Sequence, residues 1–156
     1  MAVVCCGCSS SIKQVGPRHA SEWAYAPNSI KVHPLTRIRI PDATKTETDA
    51  EGPDKKEPII VVHVEFLDGD GFSCRGVGEL RVEVHAKKGG LLGEAVVDLR
   101  DPDVNRLRFD PVTRTYRIHF NKLPKGLREA NIRAFYTVLG NKELKSKQFH
   151  VVNHEQ

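Results

Sequence analysis

The chain has 156 residues, of which 39% are hydrophobic and 28% are charged, and its formal net charge is +4. A chain of this length forms one domain with a self-supporting core. The composition is that of an ordinary globular protein and excludes a fibrous or wholly disordered one. Because the sequence contains no run of about 18 apolar residues, we expect no transmembrane segment.

The charge is distributed unevenly along the chain. Residues 113–150 carry nine Lys or Arg against two acids, whereas residues 41–57 carry three against six. The positive excess predicts a basic face for an anionic partner, either a membrane surface or a polysaccharide, and the alternative is a solvated surface without a partner. Nucleic acid is disfavoured, because Tyr116 shares the strand parity of Ile118 and Phe120 and therefore points into the core.

The first 27 residues form a segment rich in cysteine and serine. Cys5, Cys6 and Cys8 are followed by serines and by a stretch without hydrophobic periodicity, which indicates a tether. Adjacent cysteines do not converge easily on one tetrahedral ion, so a metal site is disfavoured here. Acylation and an unmodified terminus remain as interpretations. Cys74 stands far from the others and is expected to be a free, half-buried thiol.

The remaining residues, 28–156, are predicted to form one β domain. The first apolar parity is interrupted by Pro34, which predicts a broken or edge strand at Ile30, Val32, Ile38 and Ile40. Residues 41–57 lack any large apolar side chain, so we expect a mobile loop there.

Strict alternation then predicts a series of strands separated by turns. One parity is apolar at Ile60, Val62, Val64 and Phe66, and again at Leu80, Val82, Val84 and Ala86. A short strand is expected at 95–99, and a hairpin joins Leu107 and Phe109 to Tyr116, Ile118 and Phe120 through Asp110–Thr113. Residues 131–139 read as a central strand, and Phe149 and Val151 mark the last one. No helix longer than one turn is expected.

Seven or eight short strands with regular turn signals predict an all-β fold. The expected architecture is an antiparallel β-sandwich of the immunoglobulin-like or C2-like kind.

Residues able to carry chemistry are few. The sequence has no nucleophile elbow, zinc-protease helix, P-loop or dinucleotide motif, which favours a non-enzymatic protein. Asp68 and Asp70 in LDGDG are candidate Ca²⁺ ligands. His63, His85 and His119 lie on outward parities of different strands and would form a Zn²⁺ site if those strands were neighbours. The alternatives are therefore a secreted Ca²⁺- or ligand-binding module, and a hydrolase built from His and acidic residues on different strands.

The cysteine segment has a recognisable pattern. Val4-Cys5-Cys6-Gly7-Cys8-Ser9-Ser10 resembles the cleavage and acylation region of a bacterial lipoprotein, in which a small residue precedes the lipidated cysteine and a Ser-rich tether follows. The resemblance implies lipidation at Cys8. Only Ala2, Val3 and Val4 occupy the place of the apolar leader, so this interpretation places the true leader upstream of Met1.

Three further stretches extend the likeness. Ser29–Arg37, FLDGDG with GVGELRVEVH, and Arg108–Tyr116 together resemble the small lipoprotein-type β domains of planctomycete bacteria. This resemblance implies a sandwich fold and a cell-envelope address, and it transfers no catalytic residue. The prediction from the sequence is a non-enzymatic envelope domain, lipid-anchored and without a resident cofactor, whose basic face meets an anionic surface or partner.

Overall fold

The computed structural model describes residues 26–40, 57–138 and 143–153. These residues form two antiparallel sheets and one short helix, which confirms the predicted all-β sandwich. The first sheet contains β1 Ser29–Val32, β2 Arg37–Arg39, β3 Ile59–Leu67, β4 Ser73–Cys74, β7 Phe109–Asp110 and β8 Thr115–Phe120. The second sheet contains β5 Gly78–His85, β6 Leu91–Asp98, β9 Glu129–Val138, β10 Glu143–Lys145 and β11 Phe149–Val152.

The strand β3 is the centre of the first sheet. Its predicted apolar parity is fully buried, and β8 pairs along one edge while β1 and β2 share the other. Residues 33–36, with Pro34 among them, separate β1 from β2 along the same edge of β3, so the strand is broken as the sequence predicted. Ile40 was predicted to share the buried parity of Ile30, Val32 and Ile38. It is instead exposed, because it lies beyond the end of β2.

The strand β9 is central in the second sheet. It pairs with β5 on one side and with β10 and β11 on the other, which confirms the central position predicted for 131–139. The aromatic rings of both sheets meet between the layers, where the Phe66 ring centroid lies 5.0 Å from that of Tyr116 and 4.6 Å from that of Tyr136. The core therefore sits between the two sheets, and the opposite side of each sheet is left for function.

Residues 102–108 form the helix α1 Pro102–Arg108, so the strand predicted at Leu107 was wrong. The Asp101 side chain accepts hydrogen bonds from two backbone N–H groups of the first turn, and Pro102 occupies a position that needs no N–H donor. Because the helix buries none of its residues, it has no apolar stripe that periodicity could detect.

Other strand predictions need adjustment. The strand β6 begins at Leu91 and not near residue 95. The described ranges contain eleven strands, whereas seven or eight were expected. The number is higher because several strands have only two to four residues. No helix in those ranges has the length and hydropathy to cross a membrane. Predictions for the tether, Cys8 and the loop at 41–56 lie outside the described residues.

Candidate functional site

The outward side chains of the first sheet form a surface that we call the basic face. It consists of His33, His63, His119, Lys31, Arg37, Arg39, Arg108 and Arg117. These residues converge because alternate side chains of β1, β2, β3 and β8 leave the core on the same side. Arg108 ends α1, immediately before β7 at the edge of the same sheet.

The pairing register brings the chemistry of this face together. His63 lies opposite Arg117 on the neighbouring strand, and Val61 lies opposite both His119 and Arg37. Side chains directly opposite each other have Cβ atoms about 4.5–5.5 Å apart, and diagonal neighbours remain within reach of long side chains. His63 and His119 therefore share one surface, as the sequence anticipated for neighbouring strands.

His119 is surrounded by positive charge. Burial lowers its pKa below the ordinary histidine value, and the guanidinium groups of Arg117, Arg108 and Arg39 lower it further. These three arginines come from β8, α1 and β2. Their convergence on one imidazole makes this point the centre of the basic face.

His63 is an outward-facing residue that is nevertheless only 7% exposed. Its Nδ1 lies 2.9 Å from the Thr115 hydroxyl oxygen, which lies 2.8 Å from the hydroxyl oxygen of Thr113. The Thr36 hydroxyl accepts a hydrogen bond from the His63 backbone N–H at 3.0 Å. Burial lowers the His63 pKa, and the charges of Arg117 and His33 add to the effect, so this imidazole is neutral near pH 7.

Carboxylates offset only part of the positive charge on the basic face. Asp110 lies 3.7 Å from the Arg117 guanidinium, and Glu65 lies 2.9 Å from the Lys31 ammonium. Among the described residues, no carboxylate lies within ion-pair distance of Arg39 or Arg108. The Nε of Arg108 is buried and has no hydrogen-bond acceptor in the described part of the chain. Because no carboxylate of the described residues pairs with Arg39 or Arg108, the charge of these two guanidinium groups is left for an external anion.

The second sheet has an outer face of a different kind. The Arg81 guanidinium forms ion pairs with Glu83, Glu94 and Glu143, and it stacks over the Phe135 ring at 4.1 Å from the centroid. Its positive charge is therefore already matched within the protein. The two outer faces thus differ in the charge that remains for a partner.

The basic face is built differently from the sequence prediction. Within 113–150, Arg117 and His119 belong to it, whereas Arg133 and Lys145 lie on the second sheet. Sequence reasoning missed Arg108 because residues 65–110 hold more acids than basic residues. It missed Arg39 because the positive excess of residues 1–40 was not connected with the face predicted from 113–150. Alternation on β2 placed Arg39 on the outward parity, and that signal would have identified it.

The predicted metal ligands do not assemble into a site. His85 lies on β5 of the second sheet, where its Nε2 is 2.9 Å from the Glu83 carboxylate. The neighbouring strands that a three-histidine site required are therefore found only for His63 and His119. Asp68 is buried and its Oδ1 accepts hydrogen bonds from the backbone N–H groups of Asp70 and Phe72, so it shapes a turn. In the described ranges, no group of three His, Cys, Asp or Glu residues is placed to hold a metal ion.

The contact between His63 and Thr115 has the spacing of a base and a hydroxyl nucleophile. The Thr115 side chain, however, has no exposed surface. No substrate can reach its oxygen without opening the sheet, so this pair serves to hold the imidazole in place.

Comparison of the chain with protein-family models, with curated proteins and with solved structures found no match. The functional argument therefore rests on the basic face itself.

Proposed function

We propose that this protein is a non-enzymatic binding domain of the cell envelope that holds an acidic polysaccharide on its basic face. The observation that carries the proposal is the convergence of Arg39, Arg108 and Arg117 around His119. Within the described part of the chain, Asp110 is the one carboxylate in ion-pair contact with any of the three. Guanidinium groups form directional, paired hydrogen bonds with sulfate, phosphate and carboxylate groups.

An extended polymer fits this surface better than a compact ligand. The cationic side chains come from three strands and a helix end, so they are spread across the width of the sheet. A chain with repeated anionic groups can contact several of them at once, and the binding of one group places the next at high effective concentration.

The cell-envelope address and the acylated Cys8 belong to the same proposal. They are supported by the lipoprotein-like sequence around Gly7 and Cys8. Two or more acyl chains would hold the domain at a membrane, since each buried methylene contributes about 0.8 kcal/mol. The basic face would then be free to bind polymers next to that membrane.

The test is calorimetric titration with dextran sulfate, with polygalacturonate as a carboxylated polymer and neutral dextran as the control. We expect both anionic polymers to bind at low salt and to dissociate as ionic strength rises, because salt screens exposed charges. Replacing Arg39 and Arg117 together by Gln should weaken binding about two- to thirtyfold, since exposed ion pairs are each worth about 0.2–1 kcal/mol.

The matched control is Arg133→Gln, which removes an equally exposed positive charge from the second sheet. The affinity of the Arg133→Gln variant for the anionic polymers should stay close to that of the wild type. Equal losses in the Arg39/Arg117 variant and in an Arg133/Lys145→Gln variant would show that only net charge matters and would contradict a site on the first sheet.

A further inference from the structure

A second surface lies at the end of the sandwich where β3 finishes, which we call the loop end. The turn 68–72 connects β3 to β4 there, and the guanidinium of Arg114, in the turn 111–114, donates to the Ser73 carbonyl at 3.1 Å. The two turns are therefore adjacent. The helix α1 lies at the same end, because it connects the end of β6 to β7 and contacts β8.

The loop end carries the three most exposed large hydrophobic side chains of the described residues. Val112 is 88% exposed, Leu107 is 77% exposed and Phe72 is 70% exposed. Phe72 is held outward by its turn, since its backbone N–H donates to the buried Asp68 carboxylate at 2.8 Å. Large apolar side chains exposed at one end of a domain, here two on turns and one on α1, mark an interaction surface.

An open cavity beside these side chains provides guanidinium groups. It has a volume of about 310 Å³, and Arg75, Arg100 and Arg106 line it together with Asn105. The Arg75 guanidinium lies 4.3 Å from the centroid of the Phe109 ring, which holds it in place. A guanidinium binds phosphate oxygens through paired N–H donors, and among the described residues Arg75 has no carboxylate within ion-pair distance.

Carboxylates limit the net charge of the loop end. The two carboxylate oxygens of Asp98 accept hydrogen bonds from the Arg100 guanidinium at 2.6 and 2.7 Å. A carboxylate oxygen of Asp103 lies 3.6 Å from the Arg106 guanidinium. Long-range attraction by net charge is therefore weak here. Binding at this end would depend on apolar burial and on local hydrogen bonds to phosphate, and it should survive high salt.

We propose that the loop end binds the surface of a phospholipid bilayer. Phe72, Leu107 and Val112 enter the interfacial region, and the arginine cavity takes lipid phosphate groups. The combination favours lipid, because a bilayer surface presents phosphates directly above apolar chains. The chain also enters the sandwich here, since the Asn28 backbone N–H donates to the Leu67 carbonyl at 2.8 Å. A tether preceding residue 26 would thus join the domain on its membrane-facing side.

The test is sedimentation of the full chain, produced without acylation, with vesicles of phosphatidylcholine and of phosphatidylcholine mixed with phosphatidylglycerol. We expect binding to both vesicles and its persistence near about 1 M salt, where the screening length is roughly 3 Å. Replacing Phe72, Leu107 and Val112 together by Ser should lower the partition coefficient at least tenfold, because the burial of three such side chains is lost.

The matched control places the same substitution at Leu91, Val96 and Val152, which are exposed apolar residues of the second sheet. This variant should partition like the wild type. Because Leu107→Ser could loosen α1, the Phe72/Val112 double variant must also show a clear loss, with an unchanged melting temperature.

Three results would overturn the proposal: no vesicle binding by the wild type, an equal loss in the control variant, or a loop-end variant that changes only the oligomeric state. The two surfaces meet at α1, where Leu107 of the loop end precedes Arg108 of the basic face. Variants that leave α1 unchanged therefore separate the two proposals. Arg39→Gln with Arg117→Gln should leave high-salt vesicle binding intact, and the Phe72/Val112 variant should leave dextran sulfate binding intact.

Discussion

A buried hydrogen-bond network around Tyr116 connects α1 to the core. The Tyr116 hydroxyl donates to Asn105 Oδ1 at 2.9 Å and accepts from the Gly76 backbone N–H at 3.2 Å. The Asn105 Nδ2 donates to the Gly76 carbonyl at 2.7 Å and to the Leu99 carbonyl at 2.8 Å. The network thereby joins β8, the loop before β5 and the helix, and it forms one wall of the arginine cavity.

Tyr116→Phe removes the hydroxyl and keeps the ring. The buried Gly76 N–H then has no acceptor, which costs about 1–3 kcal/mol. The Asn105 oxygen is half-buried, so water can replace its lost donor at a smaller cost. The expected loss in free energy of unfolding is therefore about 1–3 kcal/mol.

Urea denaturation measures this loss, and a double-mutant cycle with Asn105→Ala isolates the network. Residues in one hydrogen-bond network show coupling energies of about 0.5–3 kcal/mol. A Tyr116→Phe loss under about 0.3 kcal/mol, or additive effects of the two substitutions, would refute this account of how α1 is held.

The remaining predictions concern the core, the buried histidine and the free thiol. Ile118→Ala should cost about 2–5 kcal/mol in urea, whereas the exposed His119→Ala should cost well under about 1, and equal midpoints would contradict the register. The His63 pKa is lowered from 6.5 in the folded protein. As pH falls, the unfolded chain therefore takes up the His63 proton at a higher pH than the folded protein does. The free energy of unfolding should therefore fall as pH drops below about 6.5, and His63→Gln should reduce that slope; an unchanged slope would show that His63 is not the group that titrates. Burial raises the pKa of the Cys74 thiol to about 11, so peptide mapping should find slow alkylation in the native protein and fast alkylation in urea.

Alternation made the central strands predictable from the sequence. The inward parity of β3 and of β5 is buried at every predicted position within the two strands, because a one-residue slip would have exposed an entire apolar set. Ala86, also predicted to point inward, lies beyond the end of β5 and is half-buried. The burial of the outward-facing side chains was less predictable. Val61 and His63 are buried as well, since pairing with β2 and the contacts of Thr36 cover part of the outer side of β3.

The helix and the basic face could not be read from periodicity. α1 has only seven residues, and its signals are the capping Asp101 followed by Pro102, a pair that equally fits the end of the strand expected at 95–99. The basic face depends on strand order, because Arg39 and Arg117 are brought together by β3, with which both of their strands pair. Local charge density carries no information on such an arrangement.

The most direct test of the central claim is nuclear magnetic resonance of the labelled protein during titration with a sulfated oligosaccharide at low salt. Binding on the basic face predicts the largest shifts in β2, β3 and β8, including the imidazole resonances of His63 and His119, with little change in β5 and β9. Shifts concentrated in the second sheet, or shifts of similar size on both sheets, would contradict a specific site on the basic face.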